Sequence, residues 1–204
     1  LKNESFEILT LKTKIDERLN WSLEKRGGIG LFTTELENAL ICGRAKLAIH
    51  SAKDMPTTHR EGLAVAGYLP RAPAHDVLVC REDCTTPNII ATSSPRRREQ
   101  FRKLFPNAEW TTIRGNVNTR LQKIADNKCE ASIFAAAGLM RLNINTYKNL
   151  KFRKFNLEEV VPAPGQGAIA IQCRASDLNQ YDHLFCRETQ IAVEMEKSFL
   201  KRLG

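Results

Sequence analysis

Apolar residues along the chain alternate with polar ones in some stretches and recur every three to four residues in others, and the elements follow from those changes. "FEILTLKT" (6–13) alternates as a strand, and "DERLNWSLEKRGGIG" (16–30) is polar and glycine-ended, a loop. In "GLFTTELENALICGRA" (30–45), Phe32, Leu36, Ala39 and Leu40 fall at helical spacing, with Thr33 or Thr34 as a cap and Gly43 as a stop. "KLAIHS", "LAVAGYLP" and "DVLVCRE" read as three strands, the last two separated by Pro70 and Pro73.

From residue 88 onward a unit repeats. "NIIATSS" is a strand ending in hydroxyls, and "PRRREQFRKLF" is a helix with Pro95 in its first turn. "AEWTTIRG" and "NVNTRLQKIADNK" repeat strand and helix, with Val117, Leu121 and Ile124 on the apolar side. "EASIFAAAGLMRL" gives a strand, a small-residue turn and a short helix; "GAIAIQCRA" is a later strand and "ETQIAVEMEKSFLKRL" a final helix. Alternating strands and helices in two similar halves predict α/β architecture, with two lobes facing a cleft and ligand residues at strand ends. The proline-rich stretch 69–73 and "VPAPGQG" (161–167) are the expected crossovers between lobes.

Composition changes this picture in one respect. The 204 residues carry 31 basic against 23 acidic side chains, a net charge of +8, which fits an anionic partner. Aromatics make up 7% without interleaving among the basic residues, which argues against base stacking and nucleic acid. No apolar run approaches the roughly 20 residues of a membrane span. The opening residues show no leader pattern, and the chain starts without Met inside an apparent strand and stops in or just past a helix, so both ends are expected to be cut. Cys80 and Cys84 are the close pair among six cysteines; with no second pair or histidine pair beside them, no metal site is expected, and most cysteines read as small buried residues of a reduced, cytoplasmic protein.

Five stretches could carry chemistry. In "ATSSPRRR", Thr92, Ser93 and Ser94 offer hydroxyls and free N–H groups at a helix start, and Arg96 and Arg97, about 100° apart, can fold toward one anion. The alternative is a solvated basic face, but positive charges in a first turn oppose the helix dipole unless an anion is near. In "TIRGNVNTR", Arg114 ends a strand, Asn116 can cap a helix and Arg120 follows; ordinary surface arginines are the alternative. In "AIHSAKDMP", Lys53 and Asp54 follow a buried strand, where a carboxylate can stabilise a cation or move a proton; a loop ion pair is the bland alternative, and His50 reads as structural. Arg141 lies beyond the small residues of "AAAGLMRL", and Gln166, flanked by glycines, suits a hinge or a polar contact at the rim. Nucleotide, hydrolase and zinc signatures are absent. A cleft of arginines, lysines and hydroxyls around one prominent aspartate suits a polycarboxylate, which guanidinium binds through paired hydrogen bonds.

Together "GLFTTELENAL", "HSAKDMPT", "ATSSPRRR", "IRGNVNTRLQK", "AAAGLMRL" and "GQGAIAIQCRA" resemble the hydroxymethylbilane synthase (porphobilinogen deaminase) family, from about residue 26 onward. That resemblance implies two lobes like type II periplasmic binding proteins, formed by residues 1–69 plus 168–187 and by 70–167, followed by 188–204 as the opening helix of a third α+β domain. It implies stepwise condensation of four porphobilinogen molecules, with release of ammonia, into a linear tetrapyrrole on a dipyrromethane primer. Asp54 would be the catalytic carboxylate, stabilising the azafulvene-type cation left when ammonia departs. Ser51, Lys53, Thr92, Ser93, Ser94, Arg96, Arg97, Arg114, Asn116, Arg120 and Arg141 would hold cofactor and substrate, and Gln166 would lie near the inter-lobe hinge. The cofactor's cysteine anchor would follow Gly204, and the family's first strand and helix would precede this chain. Ile29 stands where many relatives carry a basic loop residue. The implied protein is monomeric and cytoplasmic, or plastid in a eukaryote, with porphobilinogen and the growing polypyrrole as partners. The rival reading is a two-lobed anion-binding module without catalysis; Asp54 discriminates, because a carboxylate receptor gains nothing from a carboxylate in its pocket.

Overall fold

A computed structural model describes residues 5–11 and 33–203, and its strands form two sheets. In the smaller, β1 (Ala48–Ser51) and β2 (Leu63–Tyr68) flank β8 (Ile169–Arg174), both antiparallel to it. The larger runs in the order β5 (Glu109–Thr111), β4 (Ile89–Ala91), β6 (Ala131–Ala135), β3 (Asp76–Arg81), β7 (Leu150–Lys154). Here β5, β4 and β6 are parallel, while β3 is antiparallel to both β6 and β7. Five α-helices accompany the sheets in the described residues: α1 (Thr34–Ile41), α2 (Pro95–Leu104), α3 (Val117–Ala125), α4 (Ala136–Arg141) and α5 (Arg187–Leu203). None of the described helices is long and apolar enough to cross a membrane.

The unbroken apolar run in β3 has a direct cause: the larger sheet is covered on both faces. Val77 and Val79 point into a cluster with Leu121, Ile124, Phe134 and Leu139, beneath α3 and α4. Leu78 and Cys80 point the other way, against Phe101 of α2, Ile90, Ile133 and Phe155. The edge strand β7, "LKFRK", was not anticipated. Its Lys151, Arg153 and Lys154 mask the strand pattern, and such charges protect an exposed edge from pairing with another chain.

The three parallel strands each feed a helix, β4 into α2, β5 into α3 and β6 into α4. Three helix starts therefore gather at one sheet edge, the usual position for ligands in such sheets. The smaller sheet departs from the expected pattern: it is antiparallel throughout its described strands, because β8 returns from the larger sheet to lie between β1 and β2. The strand expected over 6–13 is a second departure. Residues 6–11 form no strand, and Phe6 and Ile8 are exposed, since no described strand lies beside them to pair with their backbone. Residues 12–13, the loop over 16–30 with Ile29, and the expected start of α1 at 30–32 lie outside the described residues. Thr33 occupies the N-cap of α1 but its side chain does not make the capping hydrogen bond, and Gly43 follows the C-cap at φ +75°.

Two crossovers, around 69–75 and 155–168, join the sheets and are stitched together. The Arg71 Nε donates to the Gln166 carbonyl (3.0 Å), and Ala72 N donates to the Gly167 carbonyl (3.1 Å). Gly167 has φ +86°, and a Cβ there would stand 2.3 Å from the Ala72 carbonyl oxygen. Gly167→Ala is expected to cost about 2 kcal/mol or more, because left-handed strain and a backbone clash add. Denaturant unfolding checks this; an unchanged midpoint would show that the crossovers can part freely. On the far side, α5 buries Thr189 and Val193, the latter among Ala52, Met55, Tyr68, Ala168 and Ala170.

Candidate anion site between the sheets

The turn from β4 into α2 uses its hydroxyls to shape itself. The Thr92 Oγ1 accepts from Ser94 N (3.2 Å), Ser93 Oγ donates to the Ile113 carbonyl (2.9 Å), and Ser94 Oγ caps α2 by accepting from Arg97 N (3.4 Å). Pro95 at the first helical position fits because its missing N–H would have had no helical partner. This cap aims Arg96 and Arg97 back across the sheet edge.

Both arginines do converge on one anion, and that anion is Asp76, the first residue of β3, which the sequence reading did not single out. Its carboxylate is fully buried. Oδ1 accepts from Arg97 Nη2 (2.7 Å), Arg97 Nε (3.2 Å) and Gln166 Nε2 (2.9 Å); Oδ2 accepts from Arg96 Nη2 (2.7 Å). Burial alone would raise the Asp76 pKa, but the charges and hydrogen bonds of Arg97 and Arg96 outweigh it and hold the carboxyl below the usual range. The expectation that position 54 carries the cavity's one strategic negative charge is thereby corrected. Two guanidiniums share one internal carboxylate, leaving one unit of positive charge over.

Arg97 is committed to this arrangement. It is 7% exposed, and its Nη1 also donates to the Ile133 carbonyl (2.9 Å). Arg96 is freer; its other bond, from Nη1 to the Val161 carbonyl (2.5 Å), reaches the second crossover.

Arg120 on α3 meets Arg97 at the same carbonyl. Its Nη2 donates to Ile133 O (2.7 Å) and to Ser132 Oγ (3.0 Å), and its guanidinium lies 4.2 Å from the centre of the Phe134 ring. No carboxylate pairs with it among the described residues, and its Nε is buried without a partner. Burial, with the charge of Arg97 adding to it, brings its pKa down to about 10. A guanidinium so placed beside a second one is stabilised by an incoming anion.

Lys53 and Asp54 approach from the smaller sheet. They lie in a 3₁₀ turn, Ala52–Asp54, directly after β1. Lys53 is exposed at the surface, yet neighbouring protein desolvates its ammonium. That desolvation, then the charge of Arg97, lowers its pKa against the opposing pull of Asp54 and Asp76; Arg96 contributes in the lowering direction. Groups from both sheets thus act on one ammonium.

The remaining expected residues separate by role. Ser51 is the last residue of β1 and exposed. Asn116 caps α3, accepting from Thr119 N (2.9 Å), and Arg114 precedes it, with its carbonyl accepting from Lys123 (3.0 Å). Arg141 points to the crossover, donating to the Gly167 carbonyl (2.7 Å) rather than to the Asp76 carboxylate. Gln166, 1% exposed, donates to the carbonyls of Ala74 (2.6 Å) and His75 (3.5 Å) as well as to Asp76, so the residue expected at the hinge also touches the anion cluster. His50 is buried beside Gln172, and burial pulls its pKa down, in keeping with a structural role. The cysteines are unpaired; Cys80, Cys84, Cys129 and Cys173 are buried, Cys186 half-buried and Cys42 exposed.

Residues 1–182 match a family model described as porphobilinogen deaminase, dipyromethane cofactor binding domain. The chain is 40% identical over 207 residues to a porphobilinogen deaminase of Listeria innocua, covering 98% of this chain and 67% of that protein. It is 38% identical over 208 residues to one from Cytophaga hutchinsonii, covering 97% of this chain and 65% of that one. It therefore spans about two thirds of the length of these relatives. Among solved structures, the periplasmic VFT2 domain of Bordetella pertussis BvgS aligns over 82% of this chain and 66% of its own, at 16% identity and a TM-score of 0.43.

Proposed function

The chain belongs to the porphobilinogen deaminase family, and from that premise we propose that its two-sheet site performs hydroxymethylbilane synthesis, joining four porphobilinogen molecules head to tail with loss of ammonia. One observation carries the reading: Lys53, the neighbour of Asp54, is within electrostatic reach of Arg97, Arg96 and Asp76 from the other sheet. That coupling supports a site in which a cation-stabilising carboxylate and a carboxylate-binding cluster act on the same ligand. We keep the domain division at 1–69 plus 168–187 and 70–167, with 188–204 as a third domain's first helix; the separation of the described strands into two sheets supports the first two units, and the free thiols suit a cytoplasmic setting.

The family's dipyrromethane carries several carboxylates, and the donor set fits it. Arg120, half-buried and without a carboxylate partner among the described residues, and Arg96, tied by one bond to Asp76 and one to a carbonyl, are suited to hold its side chains. The bound group supplies the primer from which the product grows. Asp54 holds pyrrole N–H groups and stabilises the cation left on the incoming pyrrole as ammonia departs, the work of a fixed charge beside a developing one. Lys53, with its lowered pKa, is suited to bind a carboxylate or pass a proton. Arg97 keeps the cluster in register.

The test is direct. The full-length protein, incubated with porphobilinogen, should release ammonia and yield one linear tetrapyrrole per four substrates. Binding of porphobilinogen without ammonia release would instead support the non-catalytic receptor.

A further inference from the structure

Helix α5 crosses both segments on which this chemistry depends, and two consecutive residues on it grip different ones. The Glu196 carboxylate accepts from Arg71 of the first crossover (Nη1 2.5 Å, Nη2 3.0 Å) and from Gly165 N of the second (2.7 Å). The Lys197 Nζ donates to the carbonyls of Met55 (3.0 Å) and Pro56 (3.4 Å), the two residues that follow Asp54.

A single 3₁₀ turn is a weak platform for a reacting carboxylate. This one is held by the bond from Met55 N to the Ala52 carbonyl (3.3 Å) and by that from Ala52 N to the Ala168 carbonyl (3.1 Å). Its exit is secured from α5. Val193 and Lys197 lie four apart and so share a helix face; Val193 packs in the same buried cluster as the Met55 side chain, while Lys197 takes the Met55 carbonyl. The Lys197 ammonium is also within electrostatic reach of the Asp54 carboxylate.

We propose that Lys197 is a positioning residue for Asp54: it fixes the chain leaving the Asp54 turn to the helix whose adjacent Glu196 clamps both crossovers. Movement at the crossovers is thereby passed to the carboxylate. This rests on Asp54 being the reactive carboxylate, and it adds a residue that binds no substrate itself.

The experiment uses the full-length, cofactor-loaded protein with Lys197→Met, which keeps the apolar stem, and Lys197→Arg, which keeps two donors. For Lys197→Met, kcat per cofactor-loaded site should fall about 10- to 100-fold, the scale of a displaced catalytic group. KM should change less than about threefold, because the guanidiniums of the larger sheet are untouched. Lys197→Arg should recover most of kcat. Amide hydrogen exchange over residues 52–57 should speed up in Lys197→Met and return toward the original rate in Lys197→Arg. Unchanged exchange and unchanged kcat would overturn the proposal, as would a lost activity explained wholly by fewer loaded sites. If the unaltered protein proves inactive while exchange still speeds up in Lys197→Met, the anchoring of the turn stands and the reading of Asp54 falls.

Discussion

Asp54→Asn in the full-length protein is expected to lower the rate of ammonia release at least about 100-fold, the usual loss when one preorganised electrostatic group is removed. The substitution is nearly isosteric and removes the negative charge. Asp54 is exposed and ends a turn, so the fold does not depend on its charge. Porphobilinogen affinity should stay within a few fold, since the guanidiniums that would hold its carboxylates belong to the other sheet. Single-turnover ammonia release set beside equilibrium binding separates the two quantities. Turnover within a few fold of the original would remove the catalytic role of Asp54; lost turnover together with lost binding would make it a binding group.

Arg97→Met is expected to destabilise the protein by about 3–5 kcal/mol, the range found when one partner of a buried ion pair is removed. Asp76 then keeps its bond from Arg96 and that from Gln166 but loses the two short-range donors on Oδ1 that Arg97 supplied. Urea unfolding at neutral pH measures the loss; a change below about 1 kcal/mol would show that Arg96 alone neutralises the carboxylate. The effect also has a pH signature. Because the folded Asp76 pKa is lowered, the stability that it contributes is complete above the unfolded carboxyl value and disappears as pH falls through the folded value. The unfolding curves of the two proteins should therefore draw together in acid.

What the sequence disclosed and what it concealed have physical causes. Parallel strands of the larger sheet were legible because each ends in hydroxyl, asparagine or alanine turns before a helix with its own apolar period, as at Ser94 and Asn116. Strand β7 was not, because its alternation is short, Leu150 and Phe152 against Lys151 and Arg153, and three of its five residues are the basic ones of a protected edge. The segment 6–11 has a strand's alternation without a strand's partner, which a local pattern cannot reveal. In the site, hydroxyls and positive charges in the first turn of a helix point Arg96 and Arg97 toward an anion, and in the structure both bind Asp76. That the anion is internal is not legible, since Asp76 is 20 residues upstream of Arg96 and 21 of Arg97 and looks like an ordinary strand start; a charge opening a strand that is then apolar as far as Arg81 is the one available signal. Lys197 and Glu196 gave none, for charged residues on an exposed-looking helix are the commonest surface pattern there is.

The proposed site requires the guanidiniums of the larger sheet to bind ligand carboxylates opposite Asp54. Its most direct test is calorimetric titration of porphobilinogen into Asp54→Asn protein, where turnover does not interfere, with and without Arg120→Met. Loss of one charge-assisted contact predicts affinity about 10- to 100-fold weaker in the double variant. Equal affinities in a folded double variant would contradict this requirement and leave Arg120 a structural residue of the core.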